Sequence, residues 1–387
     1  MPKLFSRSLA EEIRKRAHQF PILAVTGPRQ SGKTTLLKSL FPDHVYVSLE
    51  NPDIRSFAED DPNGFLQRYP GQAILDEVQR VPALFSYLQT AVDESGQMGQ
   101  YILSGSQNFH LLKNITQTLA GRVALFRLLP LDHDEMEQAG ILPGTYAEAC
   151  IQGGYPAIFH RGISPADFYE NYIRTYIEKD VTELVNIRDT QSFRTFLGLC
   201  AGRTGQLLNL NAMANECNIS QPTAKAWLSI LQSSYLVFLL YPYHENFNKR
   251  LVKTPKLYFY DTGLVSYLLE IREKSEILTN RLKGNIFENL VVSNFMKINE
   301  HRYLHRHYYF WQDHNGLEVD LLRKTADAFE AYEIKATQTL TSDLFKGLHH
   351  FAEIAKPATV HLHLVYGSQE SLTRSNTDVQ GWNACFP

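Results

Sequence analysis

Eight consecutive residues, Gly27-Pro28-Arg29-Gln30-Ser31-Gly32-Lys33-Thr34, fit the pattern G-x-x-x-x-G-K-[ST] at every defined position. The glycines of such a loop let backbone N–H groups curl around a β-phosphate. The lysine reaches the β- and γ-phosphates, and the hydroxyl ligates Mg²⁺. The candidate nucleotide-binding residues are Gly27, Pro28, Arg29, Gln30, Ser31, Gly32, Lys33, Thr34 and Thr35, with ATP and Mg²⁺ as the expected cofactors. An apolar run, Ile22 to Val25, precedes the loop, and a helix-forming stretch follows it, so the anion would sit at a helix N-terminus. A second apolar run, Ala73-Ile74-Leu75, ends in Asp76-Glu77. This is the Walker B arrangement, in which Asp76 would hold the Mg²⁺ with Thr34 and Glu77 would polarise the attacking water. A surface acidic pair at a strand end is the plainer alternative.

A third set of chemically able residues lies near the C-terminus. Asp320 sits in Glu318-Val319-Asp320-Leu321-Leu322, and Glu333-Ile334-Lys335 begins thirteen positions on. Residues two apart in a strand share a face, so Glu333 and Lys335 point the same way. Asp320 on a neighbouring strand and Glu288 on a helix could join them. Carboxylates around one point bind Mg²⁺, and a lysine beside them orients water and stabilises phosphorane charge. The expected metal ligands are Glu288, Asp320 and Glu333, with Glu333 and Lys335 as catalytic groups. The order of helix acid, Asp, then Glu-x-Lys resembles the PD-(D/E)xK nuclease fold, with Val319 where a proline is often found. Cleavage of nucleic acid and a binding platform that cleaves nothing both stay open. His301, His305 and His307 look like a metal cluster, yet the stretch has no cysteine and only Glu300 as an adjacent acid, so a solvated basic loop is expected.

The elements that must position these groups fall into three blocks. Strand-like runs at Ile22–Val25, Val45–Val47, Ala73–Leu75, Tyr101–Leu103 and Val123–Phe126 alternate with helical stretches, which predicts a parallel sheet wrapped by helices. Leu9, Ile13 and Ala17 give an amphipathic helix before the first strand. Residues 166–240 read mainly as helices. Within them Leu210 to Leu228 has helix–turn–helix form, with Asn218 in the turn, Ser220 as N-cap and Ala224, Trp227, Leu228 and Leu231 as core stripe. Tyr235 to Tyr241 would start a wing. The second helix offers only Lys225 as a cation, with Lys249, Arg250, Lys253 and Lys256 as further phosphate contacts from the wing side. DNA contact and a rigid connector are both compatible with this. A long helical run, Asn285 to Lys297, then precedes strands at Tyr308–Trp311, Leu317–Arg323, Phe329–Ala336 and Val360–Tyr366.

Several of these motifs together look like those of prokaryotic AAA-type ATPases with a C-terminal DUF4143 region. They are Gly27 to Thr35, Leu75-Asp76-Glu77-Val78-Gln79, Leu103-Ser104-Gly105-Ser106, Leu119-Ala120-Gly121-Arg122, Gly153-Gly154-Tyr155-Pro156, Tyr172 to Val181 and Tyr258 to Leu264. The resemblance covers nearly the whole chain. It implies an ATPase with a γ-phosphate sensor among Ser104, Ser106 and Asn108. It also implies an arginine finger or sensor at Arg122, unless that residue is salt-bridged at a helix end. The expected fold class is α/β: a P-loop NTPase parallel sheet over 1–150, a helical connector and winged helix over 151–280, and a PD-(D/E)xK nuclease-like domain over 281–387.

Composition narrows the partners. The 387 residues include 38 Lys+Arg and 41 Asp+Glu, a formal charge of -3, which excludes a histone-like polycation and leaves room only for local nucleic-acid contact. Hydrophobic residues at 44% and aromatics at 12% argue against disorder. Four scattered cysteines without a C-x-x-C pair argue against zinc and a disulfide framework, and fit a reducing, cytoplasmic setting. No apolar run suits a membrane span. ATP, DNA or RNA, a protein partner and further copies of the chain are the partners to consider.

Overall fold

The computed structural model describes residues 4–106, 118–177, 190–243 and 253–386. Asn108, Lys249, Arg250 and the stretch Glu178-Lys179-Asp180-Val181 lie outside them.

The first block is a parallel five-stranded sheet of β1 (Ile22–Thr26), β2 (Val45–Ser48), β3 (Ala73–Asp76), β4 (Tyr101–Gly105) and β5 (Val123–Arg127), in the order β2-β3-β4-β1-β5. The central strands β1, β3 and β4 are buried along their whole length, which is why they read as unbroken apolar runs. Separate apolar clusters cover the two faces. Helix α1 (Leu9–Ala17) buries Leu9 and Ile13 on one of them. Helix α2 (Lys33–Leu40) starts directly from the glycine loop after β1. A short helix, α3 (His133–Gln138), opens with a capping box from Asp132 and Glu135.

Beyond it, α4 (Pro156–Arg161) leads into the helical block. Helices α5 (Leu210–Glu216) and α6 (Gln221–Ser233) form the expected helix–turn–helix, with Asn218 at φ 53° in the turn. Ser220 caps α6 by accepting from Thr223 N–H at 3.2 Å, and Ala224, Trp227, Leu228 and Leu231 are buried. Trp227 meets Phe193 and Phe196 edge-on, and truncating it would cost about 3–5 kcal/mol. An antiparallel sheet of β6 (Gln206–Leu207), β7 (Val237–Leu240) and β8 (Lys256–Phe259) follows, in the order β6-β8-β7.

Helix α7 (Lys283–His301) is longer than the sequence pattern predicts, and every residue from Ile286 to Phe295 is buried. It is a core helix wrapped on all sides. A mixed six-stranded sheet packs nearby: β9 (Tyr308–Gln312), β10 (Glu318–Lys324), β11 (Ala328–Lys335), β12 (Thr359–Tyr366), β13 (Leu372–Arg374) and β14 (Thr377–Gly381), with α8 (Lys346–Ile354). The helical and C-terminal blocks are packed around one shared apolar cluster that runs from Leu129 to Cys385.

Two of the sequence motifs meet inside the helical block. Gly154 N–H and the Tyr169 hydroxyl both donate to Asp261, at 2.7 and 2.6 Å. Gly153 has φ 66°, and a Cβ there would stand 2.1 Å from the Tyr169 oxygen, so only glycine fits. All four cysteines are free and buried. Among the described residues, no helix is long and apolar enough to cross a membrane.

Candidate functional site

The glycine loop turns because Gly27 and Gly32 adopt φ 148° and 94°. At Gly27 a Cβ would lie 2.1 Å from the Leu128 carbonyl, so a larger residue could not make the turn. Lys33 folds back over the loop, and its ammonium donates to the carbonyls of Gly27 and Pro28 at 2.9 and 2.8 Å. Burial pulls its pKa down to about 8, against the upward pull of Glu77 and Asp76. The Thr34 hydroxyl donates to Asp76 Oδ2 at 2.9 Å, so the two expected Mg²⁺ ligands already touch across the β1–β3 side of the sheet. Tyr46 also donates to Asp76 Oδ2, at 2.7 Å, and burial with this bond raises its pKa. Ser104, paired with Asp76 in the strand register, donates to Asp76 Oδ1. Glu77 stands at φ 55° and accepts from the Ser106 hydroxyl at 3.1 Å and from Gln79. Ser104 thus serves Asp76 and Ser106 serves Glu77.

A cavity of about 580 Å³ opens beside the loop, lined by Phe5, Gln30, Thr35, Leu36, Ser39 and His160 among others. Its size suits a nucleoside. Phe5 stands edge-on to Phe159 at 6.4 Å, so the segment before α1 and helix α4 form its walls. Neither has a motif that sequence reading could find.

Arg122 stands away from the loop of its own chain, so a finger role there would have to act on a second copy. It makes a two-point salt bridge to Asp93, at 2.6 and 2.8 Å, and its carbonyl accepts from Ile22 N–H at the start of β1. The loop leaves the other end of that strand, roughly 13 Å away at about 3.3 Å per residue. Arg122 therefore cannot reach the nucleotide of its own chain; the helix-end salt bridge is what forms.

A different arginine touches the loop. Arg7 donates to the Ser31 carbonyl at 2.7 Å, to the Leu129 carbonyl at 2.7 Å and to Glu135 at 3.0 Å. His301, at the end of α7, joins this network: Leu129 N–H donates to its Nε2 at 3.0 Å, and its Nδ1 lies 2.6 Å from Asp132. His301 is fully buried, which corrects the solvated-loop reading for this residue; His305 and His307 are exposed. The α7 helix ends later than its pattern implied, which carries His301 inside. Asp132, Glu135 and His301 have metal-ligand spacing, but Arg7 and backbone amides already occupy their ligand atoms.

In the C-terminal block, Asp320, Glu333 and Lys335 converge as their spacing predicts. Lys335 Nζ lies 3.1 Å from Asp320 Oδ2 and 2.6 Å from Glu333 Oε1. Asp320 sits where the β9–β10 register shifts, between Val319 and Leu322, an irregularity that re-aims a side chain. Glu288 of α7 comes in through Lys256, whose ammonium is 3.0 Å from Glu288 Oε1, 3.4 Å from Glu318 Oε2 and 3.8 Å from Asp320 Oδ1. Tyr258 donates to Glu288 as well. Burial pushes Glu333 up to about 8 and Glu288 up to about 7, each raised further by the Asp320 charge. Burial also works against the Asp320 carboxylate, but Lys335 and Lys256 outweigh it and hold Asp320 below its ordinary value. Lys256 is only 3% exposed, which corrects its assignment as a phosphate contact of the wing; Lys253 is exposed. On α6, Gln221 and Lys225 are exposed and Thr223 is half-buried.

Three family models match successive stretches of the chain. Residues 19–137 match an AAA domain, residues 144–275 a domain of unknown function (DUF8612), and residues 283–384 a domain of unknown function (DUF4143). The uncharacterized proteins Rv2008c of Mycobacterium tuberculosis and Mb2031c of Mycobacterium bovis are each 29% identical over 339 residues, 86% of this chain and 74% of theirs. Among solved structures, the Walker-type ATPase PABY2304 of Pyrococcus abyssi is 14% identical, with a TM-score of 0.46 over 69% of this chain and 96% of its own. RuvB of Thermotoga maritima is 18% identical, with a TM-score of 0.30 over 59% of this chain and 85% of its own.

Proposed function

We propose that this chain, an AAA-type P-loop ATPase with a C-terminal DUF4143 region, hydrolyses ATP and couples that turnover to a nuclease-like C-terminal domain acting on nucleic acid. The observation that carries the ATPase reading is the contact between Thr34 and Asp76, 2.9 Å apart beside a lysine that spans the loop. Hydroxyl and carboxylate donors suit Mg²⁺, and both stand at the mouth of the loop. When bound there, Mg²⁺ would neutralise phosphate charge. Lys33 would exchange its two loop carbonyls for β- and γ-phosphate oxygens, and loop N–H groups would take the rest of the charge. Glu77, held by Ser106 and Gln79, would orient the attacking water and accept its proton. The cavity beside Phe5 and His160 would take the adenosine, with the ring of Phe5 against the base.

For the C-terminal domain, the donor set Glu288, Asp320 and Glu333 with Lys335 beside it suits a divalent cation and phosphodiester chemistry. Two buried oxygens, Asp320 Oδ1 and Glu333 Oε2, have no hydrogen-bond donor, which is the condition of ligand atoms waiting for a cation. The helix–turn–helix with its exposed Gln221 and Lys225 would give local, not extended, contact with the nucleic acid. A second reading, an ATP-driven switch whose C-terminal domains bind a protein partner and cleave nothing, is favoured by Lys256 among the same carboxylates.

Incubation with Mg²⁺ or Mn²⁺, ATP and a panel of single- and double-stranded DNA and RNA separates the two. Cleavage by wild type and its loss in Glu333→Ala are expected, with Glu77→Gln reporting whether cleavage needs ATP turnover. ATP turnover without cleavage of any of these substrates leaves the switch as the function.

A further inference from the structure

The C-terminal cluster holds four carboxylates, Glu288, Glu318, Asp320 and Glu333, and two ammoniums, Lys256 and Lys335. The two lysines differ in origin. Lys335 lies on β11 beside the acids it bonds and keeps about a third of its side chain in solvent, 34%. Lys256 comes from β8, in the sheet that follows the helix–turn–helix, and is inserted until 4% of its side chain remains exposed. Its ammonium meets three carboxylates from two elements, Glu288 of α7 and Glu318 and Asp320 of β10. A divalent cation shared by Glu288 and Asp320 would have to stand between the same oxygens. Asp320 Oδ1, the oxygen on the Lys256 side, is buried with no hydrogen-bond donor, so this ammonium serves it by charge alone.

Resting on the nuclease-like reading above, we infer that Lys256 is the cluster's built-in counter-ion: its ammonium holds the position of the divalent cation, and metal and Lys256 compete for the same carboxylates. Two positive groups in one cage of this size repel, and one must leave for the other to bind. The competition gives the domain a closed state that needs no further partner. It also gives β8 a handle on the site. Lys256 pairs with Leu240 of β7 in the sheet register, and β7 follows Tyr235, whose hydroxyl donates to Thr26 at 2.6 Å, next to the phosphate loop. Movement of the β7–β8 hairpin relative to α7 would withdraw Lys256, so a partner on the helix–turn–helix or a change at the loop has a short mechanical route to the cluster.

Mn²⁺ binding to the nucleotide-free full chain tests this directly, read as loss of the free-Mn²⁺ paramagnetic resonance signal. Wild type, Lys256→Met and Lys256→Gln are compared, each with and without Asp320→Asn to isolate this cluster from the rest. The neutral variants are expected to bind Mn²⁺ at least about tenfold more tightly than wild type, with the gain lost on Asp320→Asn. Lys256→Arg, which keeps the charge, should stay at the wild-type level. Equal Asp320-dependent affinity in wild type and the neutral variants overturns the counter-ion and leaves the metal site standing. No Asp320-dependent binding in any of them overturns the metal reading and the inference with it. If the single neutral variants do not fold, Lys256→Met with Glu288→Gln removes the charge and its nearest partner together. That pair should bind Mn²⁺ more tightly than Glu288→Gln alone, and equal binding contradicts the inference.

Discussion

At the phosphate loop one lysine faces two acids, and the bonds that hold it in place go to two backbone carbonyls of its own loop. At the C-terminal cluster two lysines face four acids, Lys256 held by carboxylates of another helix and strand and Lys335 by Glu333 of its own strand and Asp320 of the next. The first arrangement stays ready for a ligand: a cavity of about 580 Å³ opens beside it, and neutral carbonyls yield easily to phosphate oxygens. The second already holds cations of its own. Two resident ammoniums stand among its four carboxylates, and an incoming cation must displace one of them. The same chain therefore carries one site built to receive charge and one where cations already reside.

The comparison can be broken first at the loop, where the largest effect is expected. Lys33→Ala removes the ammonium that spans the loop and should lower ATP turnover by about a thousandfold or more, measured as phosphate release. Turnover near the wild-type rate would mean that the loop is not the reacting site. The next effect is one of pH. In the free protein Lys33 titrates near 8, lowered by burial, and bound phosphate charge must raise that value. Binding therefore takes up a proton above pH 8, and affinity falls as pH rises. At pH 9 ATP affinity should be about tenfold below its neutral value, with the proton uptake visible by calorimetry in buffers of different ionisation heat. A flat profile from pH 7 to 9 would remove Lys33 from phosphate binding.

Arg7 sharpens the comparison from the side of stability. It is the loop's own buried ion pair, with Glu135, and Arg7→Met would leave that carboxylate with His301 as its remaining charged partner. A loss of about 3–5 kcal/mol is expected in denaturant unfolding. Glu135 is held below its ordinary value by Arg7 and His301 against burial, so its share of stability is present at neutral pH and fades as pH falls through that lowered value. The smallest effect belongs to Arg122. Its solvent-screened bridge to Asp93 should contribute little to stability, and Arg122→Ala should leave turnover of the isolated chain unchanged. A collapse of turnover in that variant would point to a second copy of the chain completing the site.

How much of this was legible in the sequence follows the same division. The loop site is local: Gly27 to Thr35 is one stretch, and Asp76-Glu77 ends the strand whose apolar run announces it, so motif and periodicity found both. The three central strands, β1, β3 and β4, were legible for the same reason, because burial on both faces leaves continuous apolar runs. Glu333 and Lys335 were legible from the period of two in a strand, and Asp320 from their spacing. What was hidden depends on contacts across the fold. Lys256 reads as a surface cation next to Lys253, and only the packing of β8 against α7 turns it inward. His301 reads as part of a basic stretch until α7 is followed one turn further. Arg7 and Phe5 stand in a short segment with no pattern at all, yet they reach the loop and its cavity. The strands β13 and β14 escaped because they are short and polar, with β13 at the sheet edge.

Pre-steady-state ATP hydrolysis by wild type and Glu77→Gln, with nucleotide affinity measured on the same preparations, tests the central claim most directly. Glu77 is held by Ser106 and Gln79, away from the bonds that position Lys33 and Thr34. The variant is therefore predicted to bind ATP within a few-fold of wild type and to hydrolyse it at least about a hundredfold more slowly. Hydrolysis at the wild-type rate with affinity intact would contradict the account.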